Sequence, residues 1–256
     1  MDPVTTRRGL LAAAAVGLSG CVGGSGGSDG YPARRLSMGE TTTTDEGVEV
    51  TVANPRLRKS VVVDQHTSPV NAAADRQWVV VDLTVAGGDV DPSRSLRVLT
   101  DGDPAAGRSA PLRPEFHPPA AGRPVGAPVP VAPADGAAVA WVRGLPESVL
   151  WTLPDAVVSE LDSAPAFRVE RVAVSDETDP RLTMRVRNAG DRDGTLHANV
   201  AGSRVQDGNV VVSVDVPAGR SATYRGWPGI VAPRGEETRV TVDWGIDERA
   251  LVIRPE

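Results

Sequence analysis

The sequence predicts an all-β chain, two antiparallel β-sandwiches in tandem after a signal peptide and a flexible tether, and three observations agree on it. Apolar residues alternate with polar ones in short segments, as in Val48, Val50 and Val52 with Glu49 and Thr51 between them, the pattern of a strand with one buried and one wet face. Turn residues such as Ala189-Gly190-Asp191 and Pro217-Ala218-Gly219 recur at roughly the 8–12-residue spacing of sandwiches. No long apolar run of helical period occurs between residues 47 and 150.

Residues 1–20 read as the signal peptide. Arg7 and Arg8 form a positive start, and residues 10–18 an apolar run of nine, short against the roughly 20 residues that cross a bilayer as a helix. The arginine pair followed by Gly9, Leu10 and Leu11 resembles the twin-arginine export signal, which implies passage of an already folded protein. Leu18, Ser19, Gly20 and Cys21 are similar to the lipobox of exported prokaryotic lipoproteins. That resemblance implies that Cys21, the single cysteine among 256 residues, becomes the first mature residue and carries lipid as a thioether, chemistry suited to a nucleophilic thiolate. Each buried methylene contributes about 0.8 kcal/mol, and two chains hold where one is marginal. With Cys21 so used, no thiol remains for a disulfide, a zinc cluster or an iron–sulfur site, and neither metal nor other cofactor is expected.

The chain has 27 Lys and Arg against 33 Asp and Glu, and removing Asp2, Arg7 and Arg8 with the signal leaves 25 against 32, a net charge of −7. Such a balance argues against nucleic acid as a partner, because phosphate binding needs a basic footprint. Of the basic residues only Lys59 is lysine. An acidic chain so poor in lysine resembles the secreted lipoproteins of halophilic archaea, with high-GC actinobacterial lipoproteins as the alternative; in concentrated salt, acidic surface serves solubility. None of the five asparagines has Ser or Thr two residues on, so no N-glycosylation acceptor of the usual form is present.

Residues 22–46 are rich in Gly, Ser and Thr without apolar periodicity; together with Cys21 they read as a flexible linker spanning about 25–30 Å as a coil. A first sandwich follows over 47–150. Its strands are expected at 48–53, at 77–85 where Val79, Val81, Leu83 and Val85 share a face, and at 96–99, 127–131 and 137–142. Residues 101–135 form a proline-rich insertion holding nine of 22 prolines. Residues 151–163 read as a connector with a short helical turn beginning near Pro154, its polar side carrying Asp155 and Glu160. The second sandwich covers 164–256, with strands at 167–174, 182–188, 196–200, 210–216, 222–224, 239–244 and 251–253.

Within that second half, Met184 to Gly190 (Met-Arg-Val-Arg-Asn-Ala-Gly) and, about 25 residues on, Val216 to Thr223 (Val-Pro-Ala-Gly-Arg-Ser-Ala-Thr) resemble CARDB-like immunoglobulin-fold modules of prokaryotic surfaces. Asn and Gly close a strand-ending turn there, and Pro-Ala-Gly starts the strand that returns across the sandwich. The resemblance implies two immunoglobulin-like sandwiches, the first a looser relative, and specifies a fold more than a function.

Chemistry-bearing motifs are sparse. His66, His117 and His197 have no neighbour at metal-binding spacing and read as solvated or core-edge imidazoles. Asp64 with His66 is a close carboxylate–histidine pair, and no HExxH or phosphate-loop pattern occurs. The pairs Asp89/Asp91, Asp101/Asp103 and Asp191/Asp193 read as turn formers in preference to calcium ligands. Arg113, Glu115, Phe116 and His117 sit at the centre of the proline-rich insertion, either as a contact loop or as part of a polyproline-like edge strand with a variable hairpin. Five tryptophans outnumber the two phenylalanines and two tyrosines. Trp244 continues a buried period; Trp141 and Trp151 fit packing, in a core or between the sandwiches. Trp78 and Trp227 are the two stacking candidates, with interdomain packing as their alternative.

The expectation is therefore a non-enzymatic lipoprotein on the outer face of the cytoplasmic membrane, extracytoplasmic and held through lipid on Cys21. It would act as an interaction or accessory module toward other surface proteins. The alternative is a small-ligand or polysaccharide-binding lipoprotein using Trp78, Trp227 and the proline-rich residues Arg113, Phe116 and His117.

Overall fold

The computed structural model describes residues 33–64, 69–88, 91, 95–105, 107–141, 148–177, 179–202, 205 and 209–255. Their regular structure is nearly all β. The first twelve strands are β1 (Ala33–Ser37), β2 (Thr41–Thr43), β3 (Glu49–Arg58), β4 (Ser60–Val62), β5 (Val70–Ala72), β6 (Arg76–Ala86), β7 (Leu96–Thr100), β8 (Asp103–Pro104), β9 (Ala110–Pro111), β10 (Arg123–Pro130), β11 (Ala137–Trp141) and β12 (Ser148–Thr152). Ten of them make two five-stranded sheets in the orders β1-β12-β11-β7-β8 and β2-β3-β6-β10-β9, and β4 and β5 form a separate hairpin. Val50, Val52, Val79, Val81 and Leu83 face Val98, Val139, Trp141 and Trp151 in the core between the sheets. Full burial of each such side chain contributes about 1.5–3 kcal/mol.

A one-turn helix, α1 (Asp155–Val158), then leads to β13 (Phe167–Val174), β14 (Leu182–Asn188), β15 (Gly194–Ala201), β16 (Asn209–Val216), β17 (Ser221–Gly226), β18 (Thr238–Asp243) and β19 (Glu248–Ile253). The sheet β13-β14-β17 packs on the sheet β16-β15-β18-β19. Leu182, Met184 and Val186 from one meet Leu196, Val200, Val214, Val240 and Val242 from the other in a second core. Alternation is strictest in β14, whose buried residues are Leu182, Met184, Val186 and Asn188. Trp244 closes this core at 7 % exposure.

The polar end of the β14 row acts as a clasp. Asn188 is fully buried; its Oδ1 accepts the backbone N–H groups of Ala166 and Gly190, and its Nδ2 donates to the carbonyls of Arg192 and Val216. All four hydrogen-bonding positions of the amide are filled. Gly190 has to be glycine, because a Cβ there would lie 2.5 Å from the Ala164 carbonyl oxygen. Gly219, in the left-handed region at φ 64°, donates its N–H to the Gly190 carbonyl at 3.2 Å. The two similar motif pieces of the sequence are thus joined in space.

Three segments differ from the sequence expectation. Residues 33–43, read as tether, carry β1 and β2: Leu36, Thr42 and Thr44 are buried, and Trp151 Nε1 donates to the Glu40 carbonyl at 2.8 Å. A single leucine in a threonine-rich stretch gives no period to read, and tertiary pairing supplies the order. The proline-rich insertion holds β10, laddered antiparallel to β6 from Arg123 opposite Leu83 to Pro130 opposite Arg76, with β9 meeting only Val125 and Gly126. Pro124, Pro128 and Pro130 fall on alternate positions facing the β9 side, where Pro124 accepts from Leu112 N and no proline donor is missed. Residues 151–161 belong to the first core, with Trp151, Leu153 and Leu161 all buried, and α1 follows Pro154 with Asp155 and Glu160 exposed.

Candidate functional site

Side chains with chemistry converge where the β4–β5 hairpin lies against β15. Strand β3 brings the first of them. A bulge between Ala53 and Arg56 breaks its ladder with β6, and Asn54 takes the left-handed conformation at φ 50°, which Asn tolerates better than most residues. The bulge re-aims Arg56 onto Asp82, 2.7 Å away, with Asn54 Nδ2 and Ala120 N completing the carboxylate's partners at 3.0 and 2.8 Å. Burial alone would raise the Asp82 pKa, but these hydrogen bonds outweigh it and hold the carboxyl below the usual range.

Beyond Arg58 comes Lys59, the only lysine. Its ammonium is buried and donates to the carbonyls of Ala74 and Arg76 at 2.7 Å each, fastening the turn between β5 and β6. Burial pushes its pKa down and Asp75 pushes it back up.

At the centre stand two buried histidines. His117 Nε2 accepts the Val62 backbone N–H at 2.8 Å, so the neutral ring carries its proton on Nδ1, an atom with no partner. His197 pairs through Nδ1 with Ser213 Oγ at 2.8 Å, and its backbone N–H donates to Ser60 Oγ at 3.2 Å. The two imidazoles meet edge to face, 5.3 Å between centroids, and Phe116 adds a second edge contact to His197 at 5.6 Å. Burial lowers the His117 pKa to about 3, helped by His197, Arg58 and Arg56. It lowers that of His197 to about 4, opposed by Asp215 and assisted by Arg58. Both rings are neutral at ordinary pH and serve as a polar wedge; His197 lines neither of the clefts described next.

Two clefts flank this junction, one of about 360 Å³ between Arg58 and Asp215, the other of about 430 Å³ beside Arg56 and His117, and Arg58 lines both. Arg192 reaches the junction from the second sandwich, pairing with Glu160 at 2.5 Å and donating to the Ser163 carbonyl at 3.1 Å.

The sequence candidates fall as follows. Cys21, Arg7, Arg8, Leu18, Ser19, Gly20 and His66 lie outside the described residues. His117 is 2 % exposed and sits inside the junction, not on a contact loop, because its ring seals β4 against β15. Phe116 is half-buried on His197, and Arg113 is half-buried with its backbone N–H on the Val62 carbonyl. Trp78 is half-buried against the small core of Val61, Val63, Val80 and Leu112. Trp227 is the candidate left open, 44 % exposed. Sequence reasoning passed over Arg56, Arg58, Ser60, Arg192 and Ser213; the adjacency of Arg58 to the sole lysine was the one local signal. Among the described residues no group of three or more His, Cys, Asp and Glu is placed to hold a metal, and no helix is long and apolar enough to cross a membrane. No protein-family model matches the chain, and no curated protein is significantly similar to it.

Proposed function

We propose that this chain is a non-enzymatic surface lipoprotein, held by lipid on Cys21 to the outer face of the cytoplasmic membrane, whose immunoglobulin-like, CARDB-like sandwiches act as an interaction module toward other surface proteins. The observation that carries the reading is positional. β1 starts at Ala33 opposite Ser148 and runs parallel to β12, whose far end leads through α1 to Leu161 and the junction. Ala33, the first described residue, therefore lies at the pole of the first sandwich away from the junction.

Trp227 occupies the other pole. It follows Gly226, which pairs with Leu182, while Asn188 at the opposite end of β14 adjoins the junction. The ring is held outward by a built loop: indole Nε1 donates to the Ile230 carbonyl at 3.2 Å, and Gly229, at φ 74°, admits no Cβ because Val210 would lie 2.4 Å from it. Val231, 58 % exposed, extends the apolar tip. Aromatic anchors of this kind dominate contact energetics in protein interfaces.

A photoreactive benzoylphenylalanine at position 227 is expected to crosslink, in intact cells, a discrete surface protein that the same probe at exposed Glu49, on the tether pole, does not reach. Identical products from both positions would overturn the reading. Mass spectrometry of the cell-derived chain tests the tether independently, since an unmodified Cys21 thiol rules it out.

A further inference from the structure

The smaller junction cleft carries charges of both signs, and they are left apart. On the first-sandwich wall stands Arg58. Its neighbours have partners, Arg56 with Asp82 and Arg192 with Glu160, but among the described residues no carboxylate lies within ion-pair distance of Arg58, whose guanidinium donates only to the carbonyl of Leu57 at 2.9 Å. Burial, and then the like charges of Arg56 and Arg192, push its pKa below the ordinary value. On the second-sandwich wall stand Asp193 and Asp215. Asp193 accepts the Ala218 backbone N–H at 2.8 Å and Asp215 the Thr195 hydroxyl at 2.6 Å; among the described residues neither has a cationic partner. Leu57, Pro165 and Val216 supply an apolar floor between the walls.

We propose that this cleft binds a small zwitterion, a molecule of amino-acid size whose carboxylate pairs with Arg58 and whose ammonium pairs with Asp193 and Asp215. The cleft volume, about 360 Å³, lies at the lower end of small-ligand sites, where a few placed polar groups fix orientation over an apolar lining. A guanidinium presents a planar fork that takes a carboxylate through two parallel hydrogen bonds. The complementary end needs only an acceptor-rich wall, which the two aspartates provide. Charge separation in the ligand must match the gap between the walls, so chain length is the specificity determinant. This site is independent of the tip at Trp227 and of the lipid.

Calorimetric titration of the full chain with glycine, γ-aminobutyrate and 6-aminohexanoate, against butyrate and butylammonium as single-charge controls, tests the proposal. One of the zwitterions is expected to bind at least about tenfold more tightly than either control. Arg58→Gln and Asp215→Asn are each expected to weaken it by about tenfold or more, while Arg185→Lys, an exposed change on β14 away from the cleft, leaves it unchanged. Gln keeps a polar head at position 58 and Asn retains an acceptor for Thr195, so both variants are expected to fold, which circular dichroism verifies. The proposal is overturned if no zwitterion gives a heat of binding at millimolar concentration, if butyrate binds as well as the zwitterions, or if Arg58→Gln leaves the affinity intact.

Discussion

The imidazoles of His117 and His197 stand edge to face at 85°, 5.3 Å apart, each from a different sandwich and each neutral. Both pKa values lie below the ordinary 6.5, at about 3 and about 4. Between these values and 6.5 the unfolded chain binds more protons than the folded one, so stability is complete above pH 6.5 and falls as the pH drops toward 3. Asp82, with its depressed pKa, adds a loss at the acid end. Unfolding free energies from urea titrations between pH 7 and pH 3 are expected to fall by an amount on the order of a few kcal/mol. The double variant His117→Gln with His197→Gln should flatten the part of that curve above pH 4; an unchanged slope would exclude the histidines as its source.

Asn188 fills four hydrogen bonds from a fully buried position. Asn188→Ala strands two backbone donors and two carbonyls at once, and stranding each buried group costs about 1–3 kcal/mol. A loss of about 3 kcal/mol or more in chemical denaturation is expected, against less than about 0.5 kcal/mol for an exposed change such as Arg185→Lys.

Lys59 offers a sharper chemical test. Lys59→Met keeps the aliphatic stem and removes the ammonium that bridges Ala74 and Arg76, so the fold should lose about 2–4 kcal/mol, with hydrogen exchange accelerated at the β5–β6 turn first. Equal protection in the two proteins would mean that the sole lysine is not the fastener of that turn.

Strands β1 and β2 predict an uneven response to shortening the N-terminus. A chain beginning at residue 32 should melt like the intact one. A chain beginning at residue 47 uncovers Trp151 and removes Leu36, and its melting temperature should drop by about 10 °C or more. Differential scanning calorimetry of the two separates a structural segment from a passive linker.

Legibility followed locality. The boundaries of β14 could be read from the sequence because its apolar residues alternate strictly with polar ones. β1, β2, β4 and β5 were not legible: three of them are only three residues long, and their order comes from partners such as β12 at the far end of the first sandwich. The buried fate of Trp244 was visible in its period, and Trp227 remained open as a loop tryptophan can. The partners of His117 were not readable, since they are Val62 and His197, 80 positions away. The charge arrangement around Arg58 belongs to the same class, because Asp193 and Asp215 reach it only through the docking of the two sandwiches.

The parallel pairing of β1 with β12 has a mechanical consequence. If the cell envelope pulls on Ala33 while the opposite tip is held by a neighbour, the force runs along β1, and its rungs from Ala33 to Ser37 are loaded together in shear. Peeling would break them one at a time. Stretching single molecules from residue 33 should therefore require a higher rupture force than stretching from Pro255 at the end of β19, where the edge strand can unzip.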